Sequence, residues 1–170
     1  MEMAIEIREA HADEYPETGE VTAASYREFV RPNSDWENYL TMIADVAGRA
    51  ARTTILVALD EDRIVGSATL ELTARVEPED DPTLEPDEAH IRMVGVLPEM
   101  RRRGIARALM DACIERAREH GKRFITLHTT PRMRSAQLMY ESLGFERGAD
   151  RTFPDGFVLL SYRLDLARST

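Results

Sequence analysis

Apolar and charged residues alternate over positions 4–8, the two-residue period of a strand half-buried on a sheet. From 15 to 29 the period lengthens to that of a helix, with Val21, Ala24, Ser25 and Phe29 along one side, and Arg31-Pro32-Asn33-Ser34 breaks it. Ser34 or Asp35 can cap a second helix that carries Trp36, Tyr39, Leu40, Ile43 and Val46 on one face to about Arg52. Strand-like runs at 53–59 and 64–72, joined by the polar Asp60-Glu61-Asp62-Arg63, predict a hairpin, within which Gly66 marks a bulge or a tight contact. Residues 74–88 are proline-rich and acidic, with Glu77, Glu79, Asp80, Asp81, Glu85, Asp87 and Glu88 against the single Arg75, and form a long loop.

A strand over 90–96 follows, ended by Pro98, whose missing amide hydrogen suits a ladder poorly. The chain then passes Arg101-Arg102-Arg103 and enters a helix at Gly104, with Ala106, Leu109, Met110, Cys113 and Ala117 on one side and Gly121 beyond its last residue, His120. A strand at 124–129 comes next. Joined by a helix, the two strands are parallel with a right-handed connection. Thr130 and Pro131 can open a short helix with Ala136, Met139, Tyr140 and Leu143 on one face and Gly144 as its cap, and strands at 145–147 and 157–166 close the chain.

The junction at Arg101–Ala106 reads as a phosphate cradle, with a solvated helix start as the alternative for these residues alone. The first amides of a helix lack intrahelical acceptors and carry about half a positive charge, so an anion is favoured there. Small residues at 104 and 106 let a diphosphate approach the backbone, and the three arginines add charge-assisted hydrogen bonds.

Composition narrows the classes. One domain with a real core fits 170 residues at 43% hydrophobic, so the whole of 1–170 is expected to be a single domain. A net charge of −9 argues against a nucleic-acid binder and suits a cationic substrate. The lone Cys113 forms no internal disulfide, and no apolar run reaches the roughly 20 residues that span a bilayer, so a cytoplasmic protein without a leader is expected. His11, His120 and His128 have no partners at metal spacing.

Taken together, Val96-x-Pro98-x-x-Arg101-x-x-Gly104-x-Ala106 followed by Ala136-x-x-x-Tyr140-x-x-x-Gly144-Phe145 resembles the GNAT family of acetyl-CoA dependent N-acetyltransferases, at motif level over about 89–145. The resemblance implies a single α/β (α+β) domain, with a mixed, mostly antiparallel sheet whose parallel strand pair is splayed around the cofactor and with helices on both faces. It implies acetyl-CoA as cosubstrate, its diphosphate at Arg101, Arg102, Arg103, Gly104, Ile105 and Ala106 and its pantetheine along Val94, Gly95 and Val96. Direct attack by a primary amine in a ternary complex would then need a base, for which His90 and Glu88 are the candidates, and a general acid, which Tyr140 matches. Met133 stands where the family often has an asparagine, so a cofactor contact at 133 would lack that side-chain hydrogen bond. Phe29 and Trp36, on a lid made by the first two helices, and Glu88, at the end of the acidic loop, are the candidate acceptor contacts. The partners expected are a small-molecule or peptide amine, with no metal, nucleic acid or membrane and with a homodimer left open. A non-catalytic acyl-CoA sensing module and a transferase of longer acyl groups are the alternatives.

Overall fold

In the computed structural model, which describes residues 4–29, 35–76 and 83–167, the alternating segments become strands β1 (Ile5–Glu9), β2 (Thr54–Asp60), β3 (Arg63–Glu71), β4 (Glu88–Val96), β5 (Phe124–Thr129), β6 (Glu146–Arg147), β7 (Arg151–Thr152) and β8 (Val158–Asp165). The helices are α1 (Tyr15–Tyr26), α2 (Asp35–Ala44), α3 (Val46–Ala50), α4 (Ile105–Glu119) and α5 (Arg134–Ser142). The strands lie in the order β1-β2-β3-β4-β5-β8-β6, with β7 also on β8. Of these pairs only β4 and β5 run parallel.

Each face of the sheet is covered by a different set of helices. Thr22 of α1 hydrogen-bonds Ser67 of β3 at 2.7 Å, and a Cβ on Gly95 would meet the Ser25 hydroxyl, so Ser67 and Gly95 face α1. A Cβ on Gly66 would instead meet Leu109 of α4. The core fills the α4 side with Leu56, Ala68, Leu70, Ile91, Leu109, Met110, Cys113, Ile125 and Leu127, and burial of such side chains is the main stabilising term.

Several boundaries differ from the sequence expectation, each for a local reason. The helix expected to run to about Arg52 is two helices, because the Asp45 carboxylate accepts the Gly48 amide at 3.0 Å and caps a new one. The helix expected through Phe29 tightens into a 3-10 turn over Arg27–Phe29. α5 starts at Arg134 rather than at Thr130 or Pro131, whose carbonyls accept from the buried Gln137 side chain at 3.0 and 3.2 Å. The loop before β8 contains β7.

The feature that shapes the site is a bulge in β4. Ser67 and Thr69 of β3 oppose Gly95 and Arg92, so two residues of β4, Met93 and Val94, stand opposite Ala68 alone. Met93 takes a φ of 56°, in the left-handed region, and its side chain is held by Ile43 and Val76. The parallel ladder between β4 and β5 ends at Ile91 with Leu127, just before this bulge. Beyond it β4 stays on β3 and β5 stays on β8, and the sheet parts.

Candidate active site

The cradle is built where β4 ends. Leu97 donates to the Val65 carbonyl at 2.9 Å, Pro98–Met100 make one 3-10 turn, and Arg102 and Gly104 both take positive φ, 64° and 78°. This double reversal turns the chain into α4. The first helical bond there runs from the Ala108 amide to the Gly104 carbonyl at 3.0 Å, so the amides of Ile105, Ala106 and Arg107 precede the helical ladder. A Cβ on Gly104 would meet no atom within 4 Å, which leaves open space above these amides. Ile105 itself is buried in the core, while Arg102 and Arg103 are exposed.

Arg101 is placed differently from the other two arginines. It donates to the Ser25 carbonyl at 2.9 Å, pairs with Glu28, and lies over the Phe29 ring 5.6 Å from its centroid. Its guanidinium therefore ties the end of α1 to the cradle and supplies positive field there. Phe29, expected on the acceptor side, packs at this junction. Trp36 belongs to α2, but its side chain lies outside the described residues.

The edge of β4 that faces the gap is the second component. The pairing of Leu97 with Val65 puts Gly95 in the next hydrogen-bonded position toward β3, so alternation turns the backbone groups of Val94 and Val96 toward the parted side. The Val94 carbonyl accepts from the Tyr26 phenol at 3.1 Å rather than from β3. Across the gap, Thr129 at the end of β5 is 4% exposed, and its hydroxyl is the one buried side-chain polar atom without a partner among the described residues. Met133 caps α5 and is half-buried, and its thioether offers no strong donor.

The candidate acid and base lie on opposite faces of the parted sheet. On the α4 face, Tyr140 is 6% exposed with its ring 5.8 Å from Tyr162 and 6.0 Å from Phe145. Burial, together with Cys113 and Tyr162, pushes its pKa well above the ordinary phenol value, so it holds its proton at neutral pH.

On the α1 face, His90 and Glu88 share one neighbour that sequence reasoning missed. Thr126 of β5 sits opposite His90 in the parallel ladder, 2.6 Å from its Nδ1 and 2.5 Å from a Glu88 carboxylate oxygen. The His128 ring lies 5.1 Å from that of His90. Burial first, then His128, Arg75 and Arg92, holds the imidazole well below its ordinary pKa and hence neutral. The buried Glu71 on β3 holds Arg75 at 3.0 Å and Arg92 at 3.7 Å, and Arg75 also lies 3.9 Å from Glu88. Glu88, expected within the acidic loop, is thus part of a buried network, and residues 77–82 of that loop lie outside the described residues. A hollow of about 230 Å³ lined by Arg52, Thr73, Ala74, Arg75, Thr83 and Leu84 adjoins this network.

A sheet that opens its parallel pair beside a glycine-capped helix start, with a buried phenol on one face and a neutral histidine on the other, defines the class as the acetyltransferase fold. The family described as Acetyltransferase (GNAT) family matches residues 5–145, and the chain belongs to it. N-acetyltransferase 8B of Homo sapiens is 34% identical over 97 residues, 57% of this chain and 40% of that protein, so the chain spans well under half the length of that relative. A structure from Desulfovibrio desulfuricans assigned to the GNAT family superposes with a TM-score of 0.74 at 19% identity, covering 96% of this chain and 99% of that one. yncA of Salmonella typhimurium, solved with its cofactor acetyl-CoA, gives a TM-score of 0.69 at 20% identity, over 96% and 94% of the two chains.

Proposed function

We propose that the protein is an N-acetyltransferase that moves an acetyl group from acetyl-CoA to a primary amine. The observation that carries this reading is the parting of β4 and β5 immediately beside the Gly104 cradle, which puts anion-binding amides and a free strand edge along one path. The residues present fit the donor: open space lies over the helix amides for a diphosphate, the Val94 and Val96 edge suits an amide-bearing arm, and the orphaned Thr129 hydroxyl awaits a polar partner. Bound acetyl-CoA supplies an activated acyl carbon, to which the amine nitrogen bonds as the carbon–sulfur bond breaks, releasing coenzyme A. The Val94 backbone amide, directed to the gap, is positioned to stabilise developing negative charge on an oxygen. Tyr140 keeps its proton and donates it, or a hydrogen bond, toward the departing sulfur. The His90–Glu88 centre takes the amine's proton on the opposite face.

The acceptor reads as cationic. Glu85 and Asp87 are exposed at the entrance to β4, and exposed charges act chiefly on encounter, in a salt-dependent way. A panel of polyamines, amino acids, aminoglycosides and peptide N-termini, followed by coenzyme A release, tests the reading. Turnover of one class is the expected result, and the double variant E85Q/D87N should lower kcat/KM for a polycation and flatten its salt dependence. Binding of acetyl-CoA without release on any amine would replace the enzyme with a sensing module.

A further inference from the structure

We infer that Thr126 is a positioning residue that makes Nε2 of His90 the proton-accepting atom of the site. The inference rests on the reading of the His90–Glu88 centre as the base and divides the roles within it, with His90 taking the proton and Glu88 supplying the charge behind it. A threonine hydroxyl has a single hydrogen, and a carboxylate only accepts. With Thr126 Oγ1 2.5 Å from the Glu88 carboxylate, that hydrogen goes to Glu88. The same oxygen, 2.6 Å from Nδ1 of His90, is then left with lone pairs only, so Nδ1 carries the hydrogen and donates. A neutral imidazole with a hydrogen on Nδ1 has its lone pair on Nε2.

The surroundings make this chain of two bonds matter. Besides Thr126, the polar groups facing His90 among the described residues are Glu71 from β3, Glu88 and Arg92 from its own strand, Arg75 from the segment after β3, and His128 from β5. Glu71 is occupied by Arg75, Arg92 and the Val76 amide. The negative charge that reaches the imidazole through a hydrogen bond is therefore that of Glu88, by way of Thr126. When the N–H bond of the incoming amine breaks and an Nε2–H bond forms, the ring gains a positive charge with Nδ1–H already donated toward an anion. No ring flip or hydroxyl rotation is needed at that moment. The parallel pairing of His90 with Thr126, in the last turns of the ladder before the sheet parts, fixes this geometry.

The test separates the tautomer from the rate. In ¹⁵N-labelled protein, long-range ¹H–¹⁵N spectra should show His90 with its hydrogen on Nδ1, and T126V should release it to the Nε2–H form, while T126S keeps the wild-type pattern. On an accepted amine, T126V should lower kcat/KM about 10- to 100-fold, a fraction of the roughly 10²–10⁴ of a full general base. Its acid limb should move to lower pH, since the imidazolium loses its acceptor, and T126S should stay within about threefold of wild type. In an H90Q background T126V should add less than about twofold, because residues that act as a unit are not additive. An H90Q enzyme at wild-type rate would overturn the base reading and the proposal with it. A protein that H90Q inactivates but in which T126V keeps both the wild-type tautomer and pH profile overturns the role of Thr126 alone.

Discussion

Replacing Gly104 with glutamate should abolish acetyl-CoA binding in a protein that still folds, and the structure lets the two effects be sized separately. Gly104 has φ 78°, where a residue with a Cβ costs about 1–2 kcal/mol. Its Cβ would meet nothing within 4 Å, so no packing cost is added. For a domain of this size about 1 kcal/mol moves Tm by roughly 2–4 °C, so a fall of about 2–8 °C is expected. Affinity should fall far more. A carboxylate over the Ile105 and Ala106 amides displaces the diphosphate from hydrogen bonds to a charged group worth about 1.5–3 kcal/mol each. Two such bonds amount to about 3–6 kcal/mol, or roughly a hundred- to ten-thousand-fold in Kd, before charge repulsion is counted. Gly121 is a matched control: it has φ 69°, nothing within 4 Å of its Cβ, and a place at the other end of α4. Titration calorimetry with acetyl-CoA should find G121E near wild type and G104E without measurable binding. A Kd for G104E within a few fold of wild type, or an equal loss in G121E, would refute the cradle.

Tyr140→Phe should keep the ring contacts with Tyr162 and Phe145 and the affinity for acetyl-CoA while losing about 10²–10⁴ in kcat; unchanged kcat would leave Tyr140 as a packing residue. Glu14→Gln probes stability rather than chemistry. The hydrogen bond from Arg8, 2.8 Å, lowers the Glu14 carboxyl from 4.5 to about 2, so its contribution is present above the unfolded value and lost as pH falls through the folded one. The variant should be less stable by about 1–2 kcal/mol at pH 7, with the gap closing between about pH 4.5 and about pH 2 in urea melts; a gap independent of pH would mean the ion pair contributes nothing.

What the sequence shows of the site is what depends on residue type at short spacing. Gly104 opens α4, Cys113 and Tyr140 face the core, and the strand–helix–strand unit is parallel, all as the pattern predicts. The bulge is not legible, because its left-handed residue is Met93 rather than a glycine, and His90-Ile91-Arg92-Met93-Val94-Gly95-Val96 reads as an unbroken strand. Gly66 points to it only indirectly, as the close approach to the Gly95 carbonyl. Thr126 and the orphaned Thr129 escape notice because their importance comes from parallel register and from depth, neither of which one strand's composition reveals. Arg101 looks like a phosphate ligand until the end of α1 is placed against it.

The bulge also gives β4 two phases. Before it, His90 and Arg92 stand opposite Glu71 and Thr69 on the α1 face, at even positions; after it, Gly95 holds that face and Val96 turns to α4. Removing a single residue between 92 and 95 would leave one residue opposite Ala68, so both halves would keep their faces and what would be lost is the bulge itself, with the left-handed turn of the chain where the sheet parts. Substitution can tune this strand, whereas a one-residue deletion at the bulge straightens it. In aligning this chain with any relative, a gap of one placed within those four positions asserts a different active site.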